Sequence, residues 1–250
     1  MLYYCCGITE KGVMPHNEDA LLIGKYVMTA GMIEHRLEPP FVMAVSDGVS
    51  NENAGELASV MCLEKVREIE DLSRSGLQRE LMKIHKELAD FSKANKESCN
   101  MQTTLCGIAV DNDEKFRFFN VGDSRLYLFR EGKLRQLSRD QSLVQLLYEG
   151  GAITNEERKT HKHRNIIFPA LGNIKDTPKI DITEIENGMD HGDVLLLCSD
   201  GLSDVLSNYE IEEIMELPKG MNKRLELLVK AALEHGCRDN ISVGAVIRLK

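Results

Sequence analysis

The chain has 250 residues, of which 42% are apolar and 28% charged, with a formal net charge of −9. That length fits one large domain, which hides roughly 70–75% of its unfolded surface and so needs neither disulfides nor structural zinc. The acidic balance and the lack of a long basic block argue against nucleic-acid binding, and no stretch approaches the ~18 apolar residues of a membrane span.

Taken in chain order, short apolar runs bounded by Gly, Asn and Pro predict strands over Leu2–Thr9, Ala20–Met28 and Phe41–Val45. Helical spacing follows twice, first through Ala54, Ala58, Met61, Cys62, Val66 and Ile69, then through Leu77, Leu81, Ile84, Leu88 and Phe91. Hairpins are expected over Thr103–Val110, Lys115–Val121, Ser124–Phe129 and Lys133–Gln136, with turns at Gly122-Asp123 and Glu131-Gly132. Residues 141–170 are less regular, with one short helix (Ser142–Tyr148) and a polar stretch, Asn155–Asn165. Strands return at Lys179–Ile185 and Val194–Cys198, helices at Glu210–Glu216 and Asn222–His235, and the chain ends on the strand Ile241–Leu249. Consecutive strands interrupted by helix pairs, instead of a βαβ alternation, predict antiparallel sheets covered by helices. The fold class is therefore α+β.

The seven cysteines include no CxxC pair and mostly sit in apolar runs, as small buried hydrophobes do. With no signal-peptide pattern at MLYYCCGITEKG, reduced thiols point to the cytoplasm.

The chemical signal lies in the aspartates. Three follow an apolar strand and touch a glycine, in Val45-Ser46-Asp47-Gly48, Val121-Gly122-Asp123 and Cys198-Ser199-Asp200-Gly201. Two more stand beside asparagine, in Asn17-Glu18-Asp19 and Asp239-Asn240. One Asp-Gly is a turn signal. Five carboxylates gathered at one end of a sandwich would repel each other unless cations lay between them. Oxygen ligands without His or Cys select hard ions, Mn2+ or Mg2+.

In this order, Asn17-Glu18-Asp19, Asp47-Gly48 with Ala54-Gly55-Glu56, Thr103-Thr104, Val121-Gly122-Asp123-Ser124-Arg125, Ser199-Asp200-Gly201-Leu202 and Asp239-Asn240 resemble the type 2C metal-dependent protein serine/threonine phosphatases, bacterial members in particular. The resemblance spans about residues 5 to 248. It implies one catalytic domain over 1–250, a four-layered α-β-β-α sandwich, with 141–170 as a flap beside the active site. It further implies two ions, Mn2+ or Mg2+, with Asp47 bridging them. Glu18 and the Gly48 carbonyl would serve one ion, with Asp19 behind them, and Asp200 and Asp239 the other. Asp123 and Asp204, sharing Asp200, would hold a weaker third ion. Asp47, Asp200 and Asp239 thus carry the catalysis, in which a metal-activated water attacks phosphorus. Implied partners are phosphoproteins made by a Ser/Thr kinase, met by a monomeric enzyme.

The pattern departs at two places. Met14 stands where the family usually has a phosphate-gripping arginine, and Lys11, His16 or Arg36 are the candidates to replace it. Ser50-Asn51-Glu52 replaces a common Gly-Gly-His, and Gln141 replaces a common histidine and is read as structural. His161-x-His163 is read as solvated flap and not as a metal site. Two other readings compete: a phosphoprotein-binding module that has lost catalysis, suggested by Met14, and a hydrolase of some other phosphoester.

Overall fold

The computed structural model describes residues 1–49, 54–95, 98, 100–186 and 188–249; Ser50-Asn51-Glu52 and Cys99 lie outside them. Two antiparallel sheets stack face to face. One has the strand order β10 (Lys133–Gln136), β9 (Arg125–Arg130), β12 (Val194–Cys198), β13 (Ile241–Arg248), β1 (Tyr3–Glu10), β4 (Gly31–Leu37). The other runs β11 (Asp181–Glu184), β8 (Phe116–Val121), β7 (Leu105–Val110), β5 (Phe41–Val49), β2 (Asp19–Ile23), β3 (Tyr26–Met28), and the short β6 (Gln102–Thr103) pairs with the end of β5. Helices α1 (Ala54–Val66) and α2 (Arg74–Ala94) cover the second sheet. Helices α5 (Asp200–Ser203), α6 (Asn208–Glu216) and α7 (Met221–Glu234) cover the first. This is the expected four-layered α-β-β-α sandwich.

The layering follows from the period-2 alternation of strand side chains. Along β2, Leu21 and Ile23 enter the core between the sheets, while Ala20 and Leu22 pack against α1 and α2. Each strand of this kind is buried on both faces, so it reads as a continuous apolar run. Gly7 and Gly244, paired on β1 and β13, leave room for side chains of the opposing sheet. A Cβ on Gly7 would stand 2.3 Å from Leu21 Cδ2, and one on Gly244 would stand 2.1 Å from Met43 Cε. The described cysteines, Cys5, Cys6, Cys62, Cys106, Cys198 and Cys237, are buried and free.

Three local expectations need correction. The run Ala20–Met28 is two strands, because Gly24 turns the chain at φ +58° into a β2–β3 hairpin. Gly31–Leu37 forms the edge strand β4, whose charged Glu34 and Arg36 hid it in an apolar-run reading. The polar stretch after Asn155 begins with a helix, α4 (Asn155–Thr160), which has no buried residue. It is held by a capping box in which Thr154 Oγ1 accepts from Glu157 N and Glu157 Oε2 accepts from Thr154 N. With α3 (Leu143–Glu149) it forms an excursion closed at its base, where Leu143 N donates to Ile166 O and Phe168 N to Gln141 O, each at 2.8 Å.

Candidate metal centre

The aspartates meet at one end of the sandwich because the strands that carry them end there. Asp19, first residue of β2, is the direct ladder partner of Asp47 near the end of β5. Like charges placed directly opposite on neighbouring strands repel, so this pairing needs a compensating partner. Asp19 is buried and accepts a 2.7 Å hydrogen bond from Ser199 Oγ, which crosses from one sheet to the other. Ser199 also ties β12 to β13, its Oγ accepting from Ser242 N at 3.0 Å. The next residue is Asp200, which opens α5.

The peptide of Asp47 is clamped by Thr103 and Thr104. Thr104 N and Thr103 Oγ1 each donate to Asp47 O at 2.8 Å, and Asp47 N donates to Thr104 Oγ1 at 3.1 Å. The next turn is tighter still. A Cβ on Gly48 would lie 2.1 Å from Gly55 O, so only glycine lets β5 meet the start of α1. The Gly48 carbonyl oxygen and Glu18 Oε1 both approach Gly55, each 2.9 Å from where a Cβ would stand. Glu18 and Gly48 are thus brought to one spot, with Gly48 N donating to Glu18 O at 3.0 Å.

The opposite wall is built by Asn240. Its Oδ1 accepts from Glu18 N at 2.8 Å, and its Nδ2 donates to Lys11 O at 3.0 Å and to His16 O at 2.9 Å. One buried side chain therefore fixes both ends of the loop carrying Met14, beside Asp239. Replacing Asn240 with Ala strands three backbone groups, and we expect a loss of about 2–4 kcal/mol in chemical denaturation.

Burial raises the pKa of Asp47, and the charges of Asp19, Asp200, Asp123 and Asp239 raise it further. Burial likewise raises Asp200, followed by Asp123, Asp204 and Asp239. Asp19 is pushed up to about 7, mainly by burial and against the lowering effect of Ser199 and Ser242. Asp123 also rises to about 7, through burial and the charges of Asp140 and Asp204. Glu18 is raised by burial and by Asp239. Asp47, Asp123 and Asp200 stay partly open to solvent at the floor of a cleft, yet protein atoms crowd them closely enough for desolvation to lead.

These residues fit divalent cations. Asp200 Oδ1 is shielded from solvent and has no hydrogen-bond partner among the described residues, an orphan that a cation would satisfy. Among the described residues no three His, Cys, Asp or Glu side chains close on one point as a cage. Hard ions of the Mg2+ type keep several waters and need only one or two carboxylates each, so a spread set with a backbone carbonyl suits them.

The other expected residues fall as follows. Asp123 and Asp204 line a cavity of about 150 Å3 together with Arg125, Asp140, Arg158 and Arg164. Asp200 and Asp239 line a neighbouring one of about 210 Å3 with Arg164, Cys237 and Arg238. Arg36 is paired with Tyr4, five residues along β1 from the Thr9 end that borders the site, which removes it as a phosphate ligand. Gln141 is buried, accepting from Gly122 N at 3.0 Å and donating to Asp181 at 2.9 Å. His161 Nδ1 accepts from His163 N at 3.2 Å, a local turn contact. Sequence reasoning missed the roles of Arg125 and Asp140. Arg125 grips Asp140 through Nε (3.0 and 3.1 Å) and Nη2 (2.7 Å), a half-buried cation beside Asp123 and Asp204. Its position in Gly122-Asp123-Ser124-Arg125 was the available signal.

A layered sandwich with glycine-flanked carboxylates gathered at one end defines a class, the metal-dependent phosphatases. The family model of Protein phosphatase 2C matches residues 32–235, and the chain belongs to that family. The two outer carboxylate blocks, Glu18-Asp19 and Asp239, lie outside the matched span. The chain is 31% identical to the serine/threonine phosphatase stp of Listeria monocytogenes over 251 residues, covering 96% of this chain and 94% of that one. It is similar to the crystal structure of the Mycobacterium tuberculosis serine/threonine phosphatase PstP, with a TM-score of 0.82, 28% identity and full coverage of both chains. A structure of the PstP catalytic domain in complex with two manganese ions matches with a TM-score of 0.80 at 27% identity, again over both chains in full.

Proposed function

We propose that this chain hydrolyses phosphoserine and phosphothreonine in proteins at a centre of two Mn2+ or Mg2+ ions. Asp47 would contribute to holding both. Glu18 and the Gly48 carbonyl would hold one ion, with Asp19 orienting them, and Asp200 and Asp239 the other. Asp123 and Asp204 would hold a third ion more weakly. Bound there, such ions lower the pKa of a shared water toward neutrality and offset charge on the phosphoryl oxygens.

The chain's own groups supply rigidity and charge placement. Thr103 and Thr104 fix Asp47, Ser199 fixes Asp19, and Asn240 fixes the turn before Glu18. Water is the nucleophile that this arrangement favours. The thiol reaching the cavity, Cys237, has its pKa raised by burial and donates to Gly201 O at 3.1 Å, so it is protonated and occupied. The observation that carries this reading is the cluster of mutually repelling carboxylates around the orphaned Asp200 oxygen. The residues between the Gln141–Phe168 clamp would act as a flap on protein substrates, within one catalytic domain spanning 1–250. The six free buried thiols support a cytoplasmic setting, and no helix among the described residues is long and apolar enough to cross a membrane. A monomer opposing a Ser/Thr kinase completes the reading. Only Met14 favours a non-catalytic binding module.

Purified protein should release phosphate from a phosphothreonine peptide with manganese present and stop when EDTA is added. Release that continues undiminished in EDTA would refute the metal centre, and turnover of aryl phosphate without peptide turnover would move the chain to a different phosphoester.

A further inference from the structure

Of the cations the sequence offered in place of an arginine at position 14, Arg36 lies at the far end of β1, while Lys11 and His16 stay on the loop that Asn240 braces. The cavity that contains Asp200 and Asp239 has two arginines in its lining, Arg164 and Arg238. Arg164 leans on Asp204, with Nε 3.7 Å from Oδ2. Arg238 forms no ion pair within 4 Å among the described residues, although it directly precedes a carboxylate. Its backbone is fixed on both sides. Cys237 is held by Gly201 O and accepts from Asp239 N at 3.4 Å, while Asn240 is tied to the Lys11–Glu18 loop. An exposed guanidinium on an anchored turn, free of any carboxylate of its own, keeps its forked donors available for an oxyanion.

We propose that Arg238 grips the substrate phosphate, replacing from the β13 side the arginine that position 14 lacks. This rests on the phosphatase reading above. Because the clamp holds phosphate in ground and transition states alike, its loss appears in KM more than in kcat.

The test compares wild type with Arg238→Ala, Arg238→Lys and Arg164→Ala. It measures aryl phosphate kinetics at saturating manganese, calorimetric binding of inorganic phosphate to the manganese-loaded protein, and thermal melts. Arg238→Ala should raise KM and weaken phosphate binding by about ten- to a hundredfold, with an unchanged melting temperature. Arg238→Lys should recover part of the loss, and Met14→Arg added to Arg238→Ala should recover more. Unchanged phosphate affinity in a folded Arg238→Ala protein overturns the proposal, as does a loss confined to Arg164→Ala. A wild type that binds phosphate without hydrolysing esters would defeat the phosphatase reading alone, since the binding comparison still judges Arg238.

Discussion

Asp200→Asn should lower turnover on the order of a thousandfold while making the metal-free protein more stable at neutral pH. The two effects have one cause. Asp200 follows the apolar strand β12 as the first residue of α5, where Gly201 packs so closely that a Cβ there would come within 1.9 Å of Asn240 O. Its carboxylate is fixed among Asp123, Asp204 and Asp239, with Oδ1 unpartnered. Asparagine has nearly the same shape but no charge to hold a cation, so several kcal/mol of metal-based stabilisation are lost. Without metal, folding at pH 7 forces this carboxyl either to take up a proton or to bear its neighbours' repulsion, and the amide does neither. A gain of about 1–2 kcal/mol corresponds to a rise of roughly 2–8 °C in melting temperature for a chain of this size. Asp239→Asn should lose turnover similarly but stabilise less, because Asp239 is exposed. Kinetics at saturating manganese and melts in EDTA decide the matter. Near-wild-type turnover, or a lower melting temperature without metal, would show that Asp200 is not part of a repelling metal-binding cluster.

The carboxylates were legible in the sequence because Asp47, Asp123 and Asp200 each stand beside a glycine at the close of an apolar strand, while Asp19 and Asp239 stand near an asparagine at the head of one, local patterns in both cases. The layered fold was legible for a similar reason: short apolar runs such as those within Ala20–Met28 and Val194–Cys198, bounded by turn residues, read as strands, and β2 and β12 are buried on both faces. What stayed hidden depends on pairing. Nothing local says that Asp19 faces Asp47 across a ladder, or that Ser199 reaches Asp19 from the other sheet. The bracing by Asn240 joins residues more than 220 positions apart in sequence. Edge strand β4 was missed because its polar positions face solvent, while α4 was missed because it has no buried face. The Thr154-x-x-Glu157 box was nevertheless present as a start signal for α4. Arg36 looked eligible as a phosphate ligand until the register of β1 against β4 put it at the wrong end, and nothing local singled out Arg238.

In EDTA the protein should lose stability as pH rises from about 5 to 7.5, the reverse of the usual behaviour of carboxylates in ion pairs. Asp19 and Asp123 have folded pKa values near 7, well above the ordinary carboxylate value, because burial and neighbouring negative charge favour the protonated form. Between roughly pH 4 and 7 the native state therefore holds protons that the unfolded chain has released, and stability falls with pH in that window. A carboxyl whose pKa rises from about 4 to about 7 on folding contributes at most about 4 kcal/mol to this fall, and coupling within the cluster reduces the sum. Carboxylates with lowered pKa values, such as Asp111 beside Arg117 and Glu149 beside Arg139, act below this window. His85, whose pKa burial lowers, opposes the trend as a single group. Manganese should reverse the profile, because it binds the deprotonated cluster and displaces the protons. At a free concentration a hundred times its Kd, one site alone adds about 2.7 kcal/mol. Urea titrations at pH 5 and 7.5, with EDTA and with manganese, measure all four corners. Asp123→Asn should flatten the EDTA slope while leaving the low-pH stability nearly unchanged. A metal-free stability that is flat or rises across this range would mean that the carboxylates are too well solvated to repel one another, and the electrostatic case for a cation-binding cleft would fail with it.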